Sequence, residues 1–118
     1  YEAGTTPTVF GTGDQTRDFV YVDDVVAAFV AASQHTGTGD LLNIGTGLET
    51  SVNELVAAMN DITHTTVTPV RAPARAGELD RSVLDIRRAE DTLNWTPLSS
   101  VRSGLEQTWS WFQSANSK

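Results

Sequence analysis

Eight consecutive residues, Val25 to Ala32, carry no polar side chain. Asp23 or Asp24 can cap a helix that starts here and runs to about Gln34. A helix that is apolar on every face is stable only where every face is covered. A chain of 118 residues amounts to one small domain at most, so it has little else with which to wrap such a helix. Either neighbouring elements enclose it or one face seeks a partner. The composition permits a core of modest size, with 39% hydrophobic and 19% charged residues, and lacks the signature of disorder.

The remaining elements alternate in type. Thr8-Val9-Phe10 and Asp18 to Val22 read as short strands around the turn Gly11-Thr12-Gly13-Asp14. Leu41 to Ile44 reads as a buried strand ending in Gly45-Thr46-Gly47. Ser51 and Glu54 form an S-x-x-E capping box, after which Val52, Leu55, Val56, Met59 and Ile62 repeat at helical spacing. Thr65 to Val70 is rich in β-branched residues, with Pro69 marking an edge. Ser82 to Leu84 is a short extended piece. Asp85 can then cap a helix through Leu93, with Asn94 placed for a left-handed C-terminal residue and Trp95-Thr96-Pro97 as the stop. A last helix begins at Ser99 or Ser100, with Val101, Leu105, Thr108, Trp109 and Phe112 on one face. The fold class is α/β, short strands alternating with helices and ending helical.

Several chemistries are disfavoured by this sequence. Fifteen acidic against eight basic residues give a net charge of −7, and the seven arginines form no basic stripe, which argues against nucleic acid. No apolar run is long enough to span a bilayer, and Tyr1-Glu2-Ala3-Gly4 does not read as a signal peptide. With no cysteine there is no thiolate metal site, and His35 and His64 read as loop or helix-end residues rather than ligands. The predicted compartment is the cytoplasm. Gly45-Thr46-Gly47 and Gly11-Thr12-Gly13 each miss the third glycine of a dinucleotide fingerprint, at Thr50 and Thr16. Asp23 and Asp24 fit helix capping better than paired catalysis, and Arg87-Arg88 beside Glu90-Asp91 fits a solvated, internally paired helix face. Arg17, before an apolar strand, and Arg75, in an irregular stretch with Glu78 three residues on, suit either phosphate capture or surface ion pairs.

Three segments taken together carry a resemblance. Val9-Phe10-Gly11-Thr12-Gly13-Asp14-Gln15-Thr16-Arg17-Asp18-Phe19-Val20-Tyr21-Val22-Asp23-Asp24-Val25 is followed by Leu42-Asn43-Ile44-Gly45-Thr46-Gly47 with Ser51-Val52-Asn53-Glu54-Leu55. Arg75-Ala76-Gly77-Glu78-Leu79 then leads through Leu93-Asn94-Trp95-Thr96-Pro97 and Gly104-Leu105 to Trp111-Phe112. In this order the segments resemble the C-terminal part of the NAD-dependent epimerase/dehydratase family, the extended short-chain dehydrogenases acting on nucleotide sugars, and UDP-glucose 4-epimerase-like members fit best. Thr12, Ala76 and Asn94 stand where Asp, Pro and Gly are common in the family.

The resemblance implies that Arg17 and Arg75 approach a nucleotide diphosphate, that Glu78 and Phe19 lie by the ribose, and that the Val9-Phe10 strand borders the base. It also implies that residues 1–118 are a C-terminal substrate-binding portion, lacking the N-terminal NAD-binding Rossmann domain. The family's Tyr-x-x-x-Lys pair has no match: Tyr1 is followed four residues on by Thr5 and Tyr21 by Val25, and the single lysine is Lys118. The expected partner is a UDP-sugar, with NAD bound by the parent enzyme and not by this chain alone, and with no catalytic or metal residue here. Two other readings stay open: a freestanding binding module of the same fold, and a fragment of a dTDP-glucose dehydratase or UDP-glucuronate decarboxylase. The unsatisfied apolar helix predicts self-association, as a dimer or a domain-swapped assembly.

Overall fold

Among residues 5–37 and 39–116, which the computed structural model describes, four helices are tied together by two short ladders. In chain order these are β1 (Thr8–Phe10), β2 (Thr16–Arg17), α1 (Val22–Gln34), β3 (Thr50–Ser51), α2 (Val52–Thr63), β4 (Val70–Ala72), α3 (Arg87–Leu93) and α4 (Val101–Asn116). β1 pairs in parallel with β4, Val9 opposite Arg71, and β2 pairs antiparallel with β3, Arg17 opposite Thr50. Tyr1 and Lys118 lie outside the described residues.

The capping box forms as the spacing predicts. Ser51 Oγ accepts from the Glu54 amide at 3.2 Å, and the Glu54 carboxylate accepts from the Ser51 amide at 2.6 Å. Those bonds from the Ser51 amide and hydroxyl hold the Glu54 carboxyl below its ordinary value. Asn94 is left-handed at φ 49, ending α3 as expected, and His64 does the same for α2 at φ 53.

The N-terminal boundaries shift from expectation. The predicted strand from Asp18 to Val22 does not form: pairing stops at Arg17, and Phe19, Val20 and Tyr21 instead line a shallow apolar groove with Leu55 of α2 and Val101 of α4. Neither Asp23 nor Asp24 caps α1, which begins at Val22 after an extended Tyr21 with no side-chain cap. Asp24 is buried, and its two carboxylate oxygens accept from the amides of Leu98 and Ser99, each at 3.0 Å, just ahead of α4. The Asp24 carbonyl also accepts from the Trp95 indole at 3.0 Å. Asp85 acts nearer to expectation: its Oδ1 accepts from the Arg87 amide at 3.1 Å although Ile86 is the capping residue.

Leu41 to Ile44 belongs to no ladder among the described residues, yet it keeps a strand's alternation. Leu42 and Ile44 pack against the core, while Leu41 is exposed and the Asn43 side-chain Nδ2 donates to the Asp85 carbonyl. Between Thr65 and Val70 the strand is confined to the end, because the Asn60 carboxamide bonds both the amide and the carbonyl of Val67 and stands in for a partner. Ser82 to Leu84 contributes one backbone bond, Ser82 to the Thr16 carbonyl, beside a single bridge between Thr16 and Arg81. The helix pairing expected within Arg87 to Asp91 is replaced by bridges from Arg87 to Asp85 and from Arg88 to Asp40.

The core is thin. Ala28 of α1, Ala89 of α3 and Trp95 form its centre, with Ala31, Leu42, Ile44 and Leu93 around them. The molecule is a slab whose shortest extent is 19 Å against 49 and 39 Å in its plane. One face of α1 therefore has no cover: Val22, Val26, Phe29 and Val30 are each more than half exposed. The chain presents 7996 Å² of surface, where a compact protein of its mass presents about 6,200 Å².

Candidate functional site

Strand alternation decides which of Val9 and Phe10 faces outward. Val9 is buried against the core, and Phe10 turns to a cleft of about 360 Å³ at the end of β1. Pairing with β4 brings the chain past Ala72 directly beside it, so the irregular segment from Pro73 to Ser82 forms the opposite wall. The Arg75 guanidinium lies 3.9 Å from the centre of the Phe10 ring, within cation–π range. Glu78, Asp80 and Arg81 line the same wall, facing Thr12 and Gln15.

Arg17 sits behind this wall rather than in it. Its Nη1 donates to the carbonyls of Thr16 at 2.7 Å and Leu79 at 2.8 Å, and its Nη2 is 3.5 Å from the Glu78 carboxylate. Of the six residues the sequence singled out, Phe10, Arg75 and Glu78 meet at the cleft, with Arg17 in contact through Glu78. Val9 is buried and does not line the cleft. Phe19 is in the separate groove between α2 and α4.

Three carboxylates are fixed by hydrogen bonds. Burial acts to raise the Asp18 carboxyl, but bonds from the Thr46 hydroxyl and amide, the Gly47 amide and the Leu84 amide outweigh it and hold it below its usual value. Glu49 is held at about 2 by its bonds from Arg81 and the Thr16 hydroxyl. Asp85 is likewise held at about 2 by the Arg87 side chain and amide. Sequence reasoning passed over Asp18, Glu49 and Arg81, since the only signal for them is contact between segments more than 25 residues apart.

A sequence profile described as GDP-mannose 4,6 dehydratase matches residues 1–108. The UDP-glucose 4-epimerase of Mycolicibacterium smegmatis is 43% identical over 111 residues, which is 94% of this chain and 36% of that protein. The crystal structure of UDP-glucose 4-epimerase with UDP-glucose from Thermotoga maritima superposes with a TM-score of 0.91 at 39% identity, covering 96% of this chain and 36% of that one. This chain belongs to the NAD-dependent epimerase/dehydratase family. UDP-glucuronic acid 4-epimerase from Bacillus cereus, in complex with UDP-glucuronic acid and NAD, is similar at a TM-score of 0.85 and 30% identity, over 92% of this chain and 36% of that one. The likeness is to the family's C-terminal portion, and the chain spans about a third of the length of the curated relatives it matches.

Two glycine turns of this epimerase/dehydratase chain are packed by side chains from distant segments. At Gly13, left-handed at φ 82, the space a Cβ would need is filled by Asn53 and Arg71, which also bond the turn's Thr12 carbonyl at 3.1 and 2.6 Å. At Gly45 the same space holds the Asp18 carboxylate. Both turns make room for this chain's own side chains. Among the described residues no cluster of three His, Asp or Glu could hold a metal ion, and no helix is long and apolar enough to cross a membrane.

Proposed function

We propose that this chain is the nucleotide-sugar-binding portion of an NAD-dependent sugar epimerase, with a UDP-sugar as the ligand and no turnover by the chain alone. The observation that carries this reading is the cleft in which Arg75 stacks on Phe10 beside Glu78, in a chain of this family. A planar guanidinium at a cleft mouth suits bidentate capture of a diphosphate, and a carboxylate beside it suits the hydroxyls of a ribose. Arg17 supports the cleft by holding Glu78 and the Leu79 carbonyl, so its contribution combines charge with shape. The work of this portion is orientation, which can supply a large share of a rate enhancement without chemistry of its own. NAD and the redox step then belong to other parts of the parent enzyme.

Titration calorimetry with UDP, UDP-glucose and inorganic phosphate tests the binding reading. Saturable heat with UDP and UDP-glucose, lost in Arg75→Ala, is the expected result, and no binding of either nucleotide at millimolar concentration overturns it. Joining the chain to the N-terminal part of a related epimerase tests the reaction through interconversion of UDP-galactose and UDP-glucose. Release of carbon dioxide or water from a UDP-sugar by the joined protein would assign it to a decarboxylase or dehydratase instead. Binding without any turnover would favour a freestanding module.

A further inference from the structure

The segment that carries Arg75 and Glu78 has no regular structure between Pro73 and Asp80, so its position depends on what fastens its far end. Backbone bonds do part of this: the Thr16 amide donates to the Asp80 carbonyl at 2.9 Å, and the Ser82 amide donates to the Thr16 carbonyl at 3.2 Å. A side-chain clamp closes over the same point. Glu49 Oε1 accepts from the Thr16 hydroxyl at 2.6 Å and from Arg81 Nε at 2.9 Å, and its Oε2 accepts from Arg81 Nη2 at 2.5 Å.

We propose that Glu49 is a positioning residue for the nucleotide site, fixing the Arg75–Glu78 segment by clamping Arg81 onto Thr16. This inference rests on the UDP-sugar reading of the cleft. Three features separate the clamp from an ordinary surface ion pair, which contributes little. Its geometry is the two-pronged fork of a guanidinium on a carboxylate, which restricts orientation as well as distance. A third group, the Thr16 hydroxyl, shares the carboxylate and lies in β2 beside Arg17, so both arginine-bearing segments are tied at one point. The Glu49 side chain is also only a quarter exposed, against three quarters for Arg81, so water competes with one side of the pair more than the other. Glu49 itself lines no part of the cleft, whereas Arg81 does. A competing role is electrostatic restraint, in which Glu49 merely neutralises Arg81 and weakens attraction for an anion.

The test compares the chain with Glu49→Gln, Glu49→Ala and, as control, Arg87→Gln, which breaks a similar exposed fork between residues that do not line the cleft. Amide hydrogen exchange is followed in the unliganded proteins, and UDP affinity by calorimetry. In both Glu49 variants, exchange over residues 73–82 should rise while α2 is unchanged, and UDP should bind about fivefold more weakly, the upper range for a partly exposed pair. The control should alter neither. Exchange that stays slow in both Glu49 variants overturns the proposal, and so does faster exchange with equal or tighter UDP binding. If the unaltered chain binds no UDP, the proposed function fails on its own, while the exchange measurement still upholds or overturns the clamp.

Discussion

Asp24 offers the sharpest test of how this fold is held. Its carboxylate is buried, 5% exposed, and spans the amides of Leu98 and Ser99 at 3.0 Å each, more than 70 residues away in sequence. The same residue stands in the first turn of α1 and faces the start of α4, so one negative charge complements two positive helix ends. In Asp24→Ala two hydrogen bonds to a charged acceptor disappear, at about 1.5 kcal/mol each, and two amides are left without that acceptor. Alanine returns about 0.5 kcal/mol through its better helix propensity. The net loss is about 2–3 kcal/mol, equivalent to a fall in melting temperature of about 10 °C for a domain of this size. Asp24→Asn should lose about as much, since its amide keeps one acceptor but turns a buried donor toward a donor. Urea unfolding followed by tryptophan fluorescence measures this well, because Trp95 is buried and donates to the Asp24 carbonyl. Asp23→Ala, its exposed neighbour, is the control and should stay within about 0.5 kcal/mol of the unaltered chain. A loss below about 1 kcal/mol in Asp24→Ala, or equal effects at the two positions, would refute the two-helix role.

Arg75→Ala should weaken UDP binding by about tenfold or more, the size of a charge-assisted contact, with little change in melting temperature. Arg17→Ala should lower both affinity and stability, since it also strips donors from the Thr16 and Leu79 carbonyls; calorimetry beside thermal unfolding separates the two patterns. Acid should destabilise the chain mainly between pH 4.5 and 2. Carboxyls depressed in the folded state add stability above their unfolded values, near 3.8 for Asp18 and 4.5 for Glu49, and that stability is lost as pH falls through their folded values, about 2 for Glu49. Glu49→Gln and Asp18→Asn should flatten the acid limb of a circular dichroism titration, and an unchanged limb would count against those bonds. Light scattering should show concentration-dependent association through the open face of α1, suppressed in Phe29→Glu; a monomer at high concentration in the unaltered chain would remove that expectation.

Local signals in the sequence translated well where the physics is local. The Ser51–Glu54 box and the left-handed Asn94 need only neighbours within a turn or two, and both form. Strand signals translated unevenly because a ladder needs a second strand: Thr8 to Phe10 forms β1 as read, against β4. Leu41 to Ile44 has the alternation of a strand and no ladder among the described residues, and Asp18 to Val22 turns to the helices instead. The two aspartates before the apolar run were legible as helix-end residues, but not that Asp24 would serve a different helix. At the site, the outward turn of Phe10 is a consequence of strand alternation, whereas the cation–π contact with Arg75 requires the β1–β4 pairing that no local pattern encodes.

The two arginines that look alike in the sequence are different objects in the fold. Arg17 has donors on two backbone carbonyls and lies against Glu78, so its position is determined before any ligand arrives. Arg75 is exposed and rests on an aromatic face, a contact that tolerates rotation and leaves the guanidinium edge free of that surface. One arginine thus braces the wall of the cleft from behind, and the other lines the cleft itself. At this wall Glu78 pairs with Arg17 and Glu49 with Arg81, while Arg75 lies against the Phe10 ring. On the proposed UDP-sugar reading, selectivity for a nucleotide over simple phosphate should rest on shape, on the Phe10 ring and on the Glu78 carboxylate, more than on charge. The uncovered face of α1 is a separate matter, since it lies on the core helix, and its covering bears on stability and association rather than on which ligand the cleft selects.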